Sequence, residues 1–154
     1  MIKFFRTQSN SPFFSKEEQK QIILAIQEAE MHTTGEVRLF VESKCKYVNA
    51  LDRALLIFDH LQMEQTVNRN AVLIYIALKD RQLAIFGDEG IHNRVGEIFW
   101  NKELEKIISE FSNEHYVEGI IDVINDVGEV LKKHFPAEAA TNKNELPDDI
   151  VFGK

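Results

Sequence analysis

The sequence has few of the residues that stabilise a protein covalently, and it lacks the long apolar runs that anchor proteins in membranes. Cys45 is the only cysteine among 154 residues, so an internal disulfide is impossible and a reducing compartment is the better expectation. No apolar run approaches the roughly 18–20 residues of a spanning helix, and the first residues contain no apolar core of signal-peptide length. We therefore expect a cytoplasmic protein without membrane insertion.

Positive charge is also scarce, because 18 Lys and Arg stand against 25 Asp and Glu, a formal net charge of -7. This balance disfavours nucleic acid and anionic membranes as partners, whereas divalent cations and an unidentified protein partner are compatible with it. The length predicts one domain, residues 1–136, that can bury a core unaided. A polar tail, residues 137–154, follows; it either docks through its apolar segment Ile150-Val-Phe152 or stays loose.

Local signals predict where helices begin and end. Ser15-Lys-Glu-Glu18 is a capping box that opens a first helix, which runs to about His32. Asn49 caps a second helix with apolar residues at i, i+3, i+4 and i+7. Beyond Gly90 the pattern is helical, first in a short segment and then in two longer helices, until Phe135-Pro136 ends the last one.

Three segments have the patterns of strands. Residues 36–42 alternate between apolar and polar, and residues 71–78 are apolar almost without break, as in a central strand. The turn Lys79-Asp80 leads into residues 82–87, which return antiparallel to the second strand. The first two strands must be parallel, because a helix connects them in a right-handed crossover. The sequence therefore predicts an α/β fold, a three-layer α/β/α sandwich around a small mixed sheet.

The reversed third strand determines where polar side chains meet. Its end, Gly87-Asp88-Glu89, lies at the sheet edge where the first two strands begin. Gly87 and Gly90 permit close backbone approach and unusual dihedral angles there. The predicted cluster contains three carboxylates and one amide: Glu36, Asn70, Asp88 and Glu89. Such oxygen ligands hold calcium or magnesium. The alternative is that Asp88 or Glu89 merely caps the following helix.

Two other residues are candidates for chemistry. His92 lies near the acidic cluster and could act as an acid or a base, although a surface position in a first helical turn is the simpler interpretation. Cys45 stands between two lysines that could make its thiol reactive, but the sequence identifies no partner for it. Neither residue by itself indicates a reaction.

Five motifs, in this order and spacing, resemble the TPM domain family between about Ser15 and Phe135. They are Gly35-Glu-Val37, Asn70-Ala-Val-Leu-Ile74, Lys79-Asp-Arg81, Gly87-Asp-Glu-Gly-Ile91 and Tyr116-Val-Glu-Gly-Ile120. That family includes a thylakoid acid phosphatase, a photosystem II repair protein and a modulator of acetylcholine receptors. The resemblance implies an α/β/α sandwich that binds a divalent metal, often Ca²⁺ and otherwise Mg²⁺ or Mn²⁺, in an acidic cleft. That cleft would lie at the sheet edge where Glu36, Asn70, Asp88 and Glu89 meet, which we call the corner.

The chain departs from the family pattern at that corner. Arg69 stands where an Asp is expected, Ala71 replaces a Gly, and His92 replaces a Glu. Arg69 either weakens cation binding by repulsion or clamps an anion. Because some members are credited with weak acid phosphatase activity, the resemblance also implies a possible phosphomonoesterase.

Three functions stay open at the level of sequence. The first is a stand-alone domain that binds a divalent metal through the predicted cluster, or a protein partner. The second is metal-assisted hydrolysis of phosphomonoesters at the same corner, with no catalytic nucleophile or base identified. The third is a metal-free interaction scaffold, in which Arg69 forms a salt bridge with Asp88 or Glu89.

Overall fold

A computed structural model describes residues 4–5 (backbone alone), 13–47, 49–137 and 150–153. Within these residues a five-stranded sheet forms the centre of the fold, in the order β1-β5-β2-β3-β4. The strands are β1 Phe4–Phe5, β2 Glu36–Glu42, β3 Ala71–Ala77, β4 Gln82–Gly87 and β5 Val151–Gly153. The helices are α1 Lys16–Glu30, α2 Ala50–His60, α3 Glu89–Ser112 and α4 Tyr116–His134. This is the α/β architecture that the sequence predicts.

The directions of the three long strands are those predicted. β2 and β3 run parallel with Glu36 opposite Ala71, and α2 forms the crossover between them. β4 runs antiparallel to β3 with Gly87 opposite Val72. β3 ends at Ala77, one residue before the predicted bound. The reversal of β4, on which the predicted corner depends, is therefore confirmed.

The sheet is wider than predicted because an apolar segment near the end of the chain contributes a strand. Val151 and Phe152 of β5 pair in parallel with Phe40 and Val41 of β2, and both side chains of β5 are buried. β1 pairs antiparallel to β5 on its other side. Strands of two and three residues are too short to show a period-two pattern, so sequence periodicity does not reveal them. Residues 138–149 and 154 of the predicted tail lie outside the described residues.

Helices cover both faces of the sheet. Val37, Leu39 and Val41 face a core shared with α1, α3 and α4, whereas Phe40 and Tyr75 face a second core that is shared with α2. Burial on both faces explains the unbroken apolar sequence of β3. In the described part of the chain, no helix is long and apolar enough to cross a membrane.

The helix ends follow their sequence signals. Ser15 and Glu18 form both hydrogen bonds of the predicted capping box, and the side chain of Asn49 accepts from Leu51 N at 2.8 Å. The short segment and the longer helix predicted after Gly90 are the two parts of α3, which are separated by the non-helical backbone of Gly96, with φ 74° and ψ 173°. Glycine tolerates this conformation, which explains why the two parts of α3 are separated there.

Candidate functional site: an acidic corner closed by Arg69

Backbone hydrogen bonds hold three separate segments together at one corner of the sheet. The N–H of Glu36, at the start of β2, donates to the carbonyl of Asn70 at 3.4 Å. The N–H of Asp88 donates to the carbonyl of Ala71 at 2.9 Å, directly after β4. These contacts fix the end of β4 against the beginnings of β2 and β3.

The two corner glycines allow a close approach but not unusual dihedral angles. A Cβ atom on Gly90 would lie 2.1 Å from the carbonyl oxygen of Asn68, and one on Gly87 would lie 2.3 Å from the ring of Trp100. Neither glycine has a positive φ; at this corner the left-handed conformation is found at Arg69, with φ 50°. The expectation of unusual glycine dihedrals is therefore wrong, because close packing here requires only the absence of a side chain.

Arg69 is bound to both acidic residues of the corner. Its Nε and Nη2 donate to the two oxygens of Asp88 at 2.6 and 2.9 Å, and its Nη1 lies 2.8 Å from Oε1 of Glu89. The Asp88 side chain is only 4% exposed, whereas the Arg69 side chain is 43% exposed. Two parallel hydrogen bonds of this kind are the strong, geometrically specific form of an arginine–carboxylate pair. The guanidinium therefore neutralises a nearly buried carboxylate.

A third carboxylate contributes to the electrostatics of this corner. The hydrogen bonds to Asp88 raise the pKa of Arg69 above its ordinary value, against a smaller opposing effect of desolvation. The negative charges of Asp88, Glu89 and Glu64 raise this pKa further. Sequence reasoning missed Glu64, although the topology contains the signal: the loop after α2 must return the chain to the edge where β3 begins.

Asp88 also has the capping role that the sequence left open as an alternative. It is the N-cap of α3, and its Oδ1 accepts from the N–H of Glu89 at 2.8 Å. A carboxylate at this position satisfies one free helical N–H and interacts favourably with the helix dipole. Capping and charge pairing with Arg69 thus occur in the same residue.

The other two predicted ligands lie at the same corner in different surroundings. Glu36 is buried at the start of β2, and strand alternation puts it on the face of Phe40, which α2 covers. Asn70 is fully buried, and its Nδ2 donates to Oγ1 of Thr34 at 3.1 Å. Among the described residues the Oδ1 of Asn70 has no hydrogen-bond partner. The structure thus joins Asp88 and Glu89 through Arg69, and Asn70 to Thr34.

His92 is hydrogen-bonded to the core. The indole Nε1 of Trp100 donates to its Nδ1 at 3.1 Å, and the His92 ring is half-buried. Because Nδ1 accepts this bond, the neutral ring carries its proton on Nε2. His92 is thus more than the surface residue of the simpler interpretation, since it orients a buried tryptophan.

The side chains at the corner fit a guanidinium better than a divalent cation. Calcium takes six to eight oxygen ligands, yet both oxygens of Asp88 accept hydrogen bonds from Arg69. Across residues 13–47, 49–137 and 150–153, no three His, Cys, Asp or Glu side chains form a group that could hold a metal ion. The metal site implied by the resemblance stays a prediction.

A second buried polar cluster, which sequence reasoning did not find, lies at the opposite ends of β2 and β3. Glu42 accepts from Nε and Nη2 of Arg53 at 2.8 and 2.9 Å, and from the hydroxyl of Tyr75 at 2.5 Å. Burial, followed by the hydrogen bond to Glu42, raises the pKa of Tyr75 far above its usual value. The hydroxyl therefore stays protonated, and the cluster is a satisfied structural network.

The TPM domain pattern matches residues 8–130, which include every residue of the corner. No curated protein matches the chain.

Two solved structures are similar along their whole length. The NMR structure of the BA42 protein from Bizionia argentinensis is 35% identical, with 96% of this chain and 100% of that chain covered and a TM-score of 0.85. The N-terminal domain of the cg2496 protein from Corynebacterium glutamicum is 13% identical, with 90% and 97% covered and a TM-score of 0.63. The second likeness shows the fold alone.

Proposed function

Because the chain belongs to the TPM domain family, we propose that it acts as a protein-interaction module in which Arg69 takes the place of a corner cation. The bidentate contact between Arg69 and Asp88 supports the replacement of the cation, and the groove along β4 supports a role in protein interaction. A guanidinium supplies the positive charge that a nearly buried carboxylate needs, and unlike a metal ion it cannot dissociate from the chain. We further propose the cytoplasm as its location, which agrees with a single cysteine in the sequence.

Phosphomonoester hydrolysis is less well supported by the contacts of Arg69. A phosphatase needs positive groups that are free to bind the phosphoryl oxygens, and a water or side chain activated for attack. Here the N–H groups of Arg69 point at Asp88 and Glu89, and the Nδ1 of His92 is used by Trp100. A protein-interaction module can function while these groups keep their hydrogen bonds within the chain.

Two measurements on the wild-type chain test the proposal. Thermal melting in chelator and in millimolar Ca²⁺, Mg²⁺ or Mn²⁺ should give one melting temperature, because a ligand stabilises a fold only if it binds the fold. Hydrolysis of a chromogenic phosphomonoester should stay at background. Phosphate release that disappears both with chelator and in Glu89→Gln would contradict the proposal in favour of the enzyme.

Calcium binding after Arg69 moves away is the second candidate function. Oε2 of Glu64 and Oδ1 of Asn70 are buried without a hydrogen-bond partner in the described part of the chain. Arg69 is exposed enough to rotate into solvent, and its departure would leave Asp88, Glu89 and Glu64, whose charges all act on Arg69, without that cation. Such a set of oxygens has the hard-ligand character that Ca²⁺ requires.

Arg69→Asp tests this candidate, because it introduces the residue that the family resemblance leads us to expect there. If the candidate is right, millimolar Ca²⁺ raises the melting temperature of this variant. Arg81→Asp is the matched control: Arg81 is an exposed arginine, also with a positive φ, at the turn between β3 and β4. An equal response of both variants to Ca²⁺ would show that the effect is not located at the corner.

A further inference from the structure

β4 forms one edge of the sheet, and a groove of about 580 Å³ runs along it. The strand itself lines the groove from Leu83 to Gly87. Leu51 at the start of α2 lies on one side, and Trp100 and Leu104 of α3 lie on the other. The edge is therefore recessed between two helices, with an apolar surface on both sides.

In the described part of the chain, no strand pairs with the outer edge of β4, which faces this groove. The N–H of Asp88 bonds to Ala71 of β3, and in an antiparallel pair every second residue makes such bonds. The N–H and C=O groups of Leu83, Ile85 and Gly87 must therefore point away from β3. Leu83 is partly exposed, whereas Ile85 and Gly87 are buried, so this edge is reached only from the groove. A strand edge without a neighbouring strand is a template for one more strand.

The charges around the groove select the kind of strand that fits. Its lining includes three carboxylates, those of Asp88, Glu89 and Glu97, and no Lys or Arg. Arg69 offsets only one of these charges, so the groove is negative. All three acidic residues lie at or beyond the N-cap of α3, whereas Leu51 of α2 is apolar. A strand with alternating basic and apolar side chains would direct its basic face to the α3 side, where the carboxylates lie beside Trp100 and Leu104, and its apolar face to Leu51 on the α2 side.

We infer that β4 binds an extended, alternately basic and apolar segment of a partner protein, which adds to the sheet as a further strand. The inference rests on the proposed interaction function and names the partner's chemistry. Main-chain hydrogen bonds to Leu83, Ile85 and Gly87 would supply affinity, and the side-chain alternation would supply specificity. The acidic corner and the groove meet at Asp88 and Glu89.

Titration of the full chain with a fluorescent octapeptide of alternating lysine and valine tests this inference. We expect saturable binding, with slower hydrogen exchange at the amides of Leu83, Ile85 and Gly87. A glutamate–valine peptide should bind roughly tenfold more weakly, a loss of about 1.4 kcal/mol. We expect no binding when the lysine–valine peptide carries N-methyl groups on the alternate residues whose N–H groups face β4. Those residues can no longer donate hydrogen bonds to the edge of β4.

Charge reversal in the chain provides a matched pair of variants. Glu97 lines the groove, whereas Glu105 is exposed on the same helix but lies outside the groove. Glu97→Lys should weaken lysine–valine peptide binding roughly two- to fivefold at low salt, and Glu105→Lys should leave it unchanged.

Three results would overturn the inference. The first is no binding of the lysine–valine peptide. The second is binding that leaves the exchange of the three β4 amides unchanged. The third is a dimer of the free chain in which these amides are already protected, since a second copy would then be the occupant. None of them bears on the metal-independence of the corner, so the failure of this inference is distinguishable from that of the proposed function.

Discussion

Arg69 and Asp88 lie 19 residues apart in the chain, and two parallel hydrogen bonds join them across the corner of the sheet. The same carboxylate caps α3. One residue thus fixes the beginning of a helix and anchors the loop that precedes β3. The corner therefore connects three structural elements. Asp88 stabilises it in two separate ways, as a hydrogen-bond acceptor for the helix and as a negative charge that pairs with Arg69.

Two substitutions of Asp88 separate capping from charge pairing. Asp88→Asn retains an acceptor for the N–H of Glu89 but loses the ion pair, whereas Asp88→Ala loses both. We expect both to lower the free energy of unfolding in urea, and Asp88→Ala to cost about 1 kcal/mol more, the usual value of an N-cap. Equal losses in the two variants would show that the cap contributes nothing.

Substitutions in the Glu42 cluster should show that the buried carboxylate of Glu42 lowers the stability of the fold unless Arg53 is paired with it. Tyr75→Phe removes one hydrogen bond and should cost about 1–2 kcal/mol in urea denaturation. Arg53→Met should cost more, roughly 3 kcal/mol, because it leaves the carboxylate of Glu42, which is 9% exposed, without a positive partner. A milder effect of Arg53→Met than of Tyr75→Phe would contradict the dependence of the Glu42 carboxylate on this cation.

A buried carboxyl group between α3 and α4 predicts a pH dependence of stability. Burial, and then the neighbouring Asp126, raise the pKa of Glu103 to about 7, from an ordinary 4.5. Between these two values the native chain holds a proton that the unfolded chain has lost. The stabilising contribution is therefore complete below about pH 4.5 and is lost as the pH rises through 7.

Glu103→Gln should remove this dependence. Relative to the variant, the wild-type chain should lose about 3 kcal/mol of unfolding free energy between pH 4 and pH 8. Glu105→Gln is the control, since Glu105 is exposed on the same helix and should follow the wild type. Parallel stability curves for wild type and Glu103→Gln would contradict the assignment.

Two glycine substitutions distinguish close backbone contact from backbone conformation. At Gly90 an added Cβ would meet backbone atoms of Asn68 and Arg69, which cannot move independently of the corner. At Gly96 it would meet nothing within 4 Å, but φ is 74°. Gly96→Ala should therefore cost about 1–3 kcal/mol, because φ 74° with ψ 173° lies in a backbone region that is essentially restricted to glycine. Gly90→Ala should lower the melting temperature much further, and the reverse order would contradict the described packing.

The sequence predicts the fold well where patterns are long. The unbroken apolar run of β3 and the turn after it identify a central strand and its antiparallel neighbour, and from these follows the position of the corner. β5 was not predicted as a strand, because three residues show no period; its apolar character indicated only that it docks or stays loose.

The candidate site is harder to predict, because the sequence pattern predicts where the backbone of each strand lies but not the direction in which each side chain points. Topology brings Glu36 and Asn70 to one edge, but the register pairs Glu36 with Ala71, so strand alternation decides which face each side chain occupies. The sequence leaves the salt bridge of Arg69 as one of three alternatives, because the distance between Arg69 and Asp88 depends on the left-handed backbone conformation of Arg69 itself.

Calorimetric titration of the wild-type chain with Ca²⁺ tests most directly whether Arg69 serves as the cation of the corner. We expect no binding heat up to millimolar Ca²⁺, because both oxygens of Asp88 already accept hydrogen bonds from the guanidinium. Saturable heat with one Ca²⁺ per chain, abolished by Asp88→Asn, would contradict it and would favour a metal site from which Arg69 is displaced.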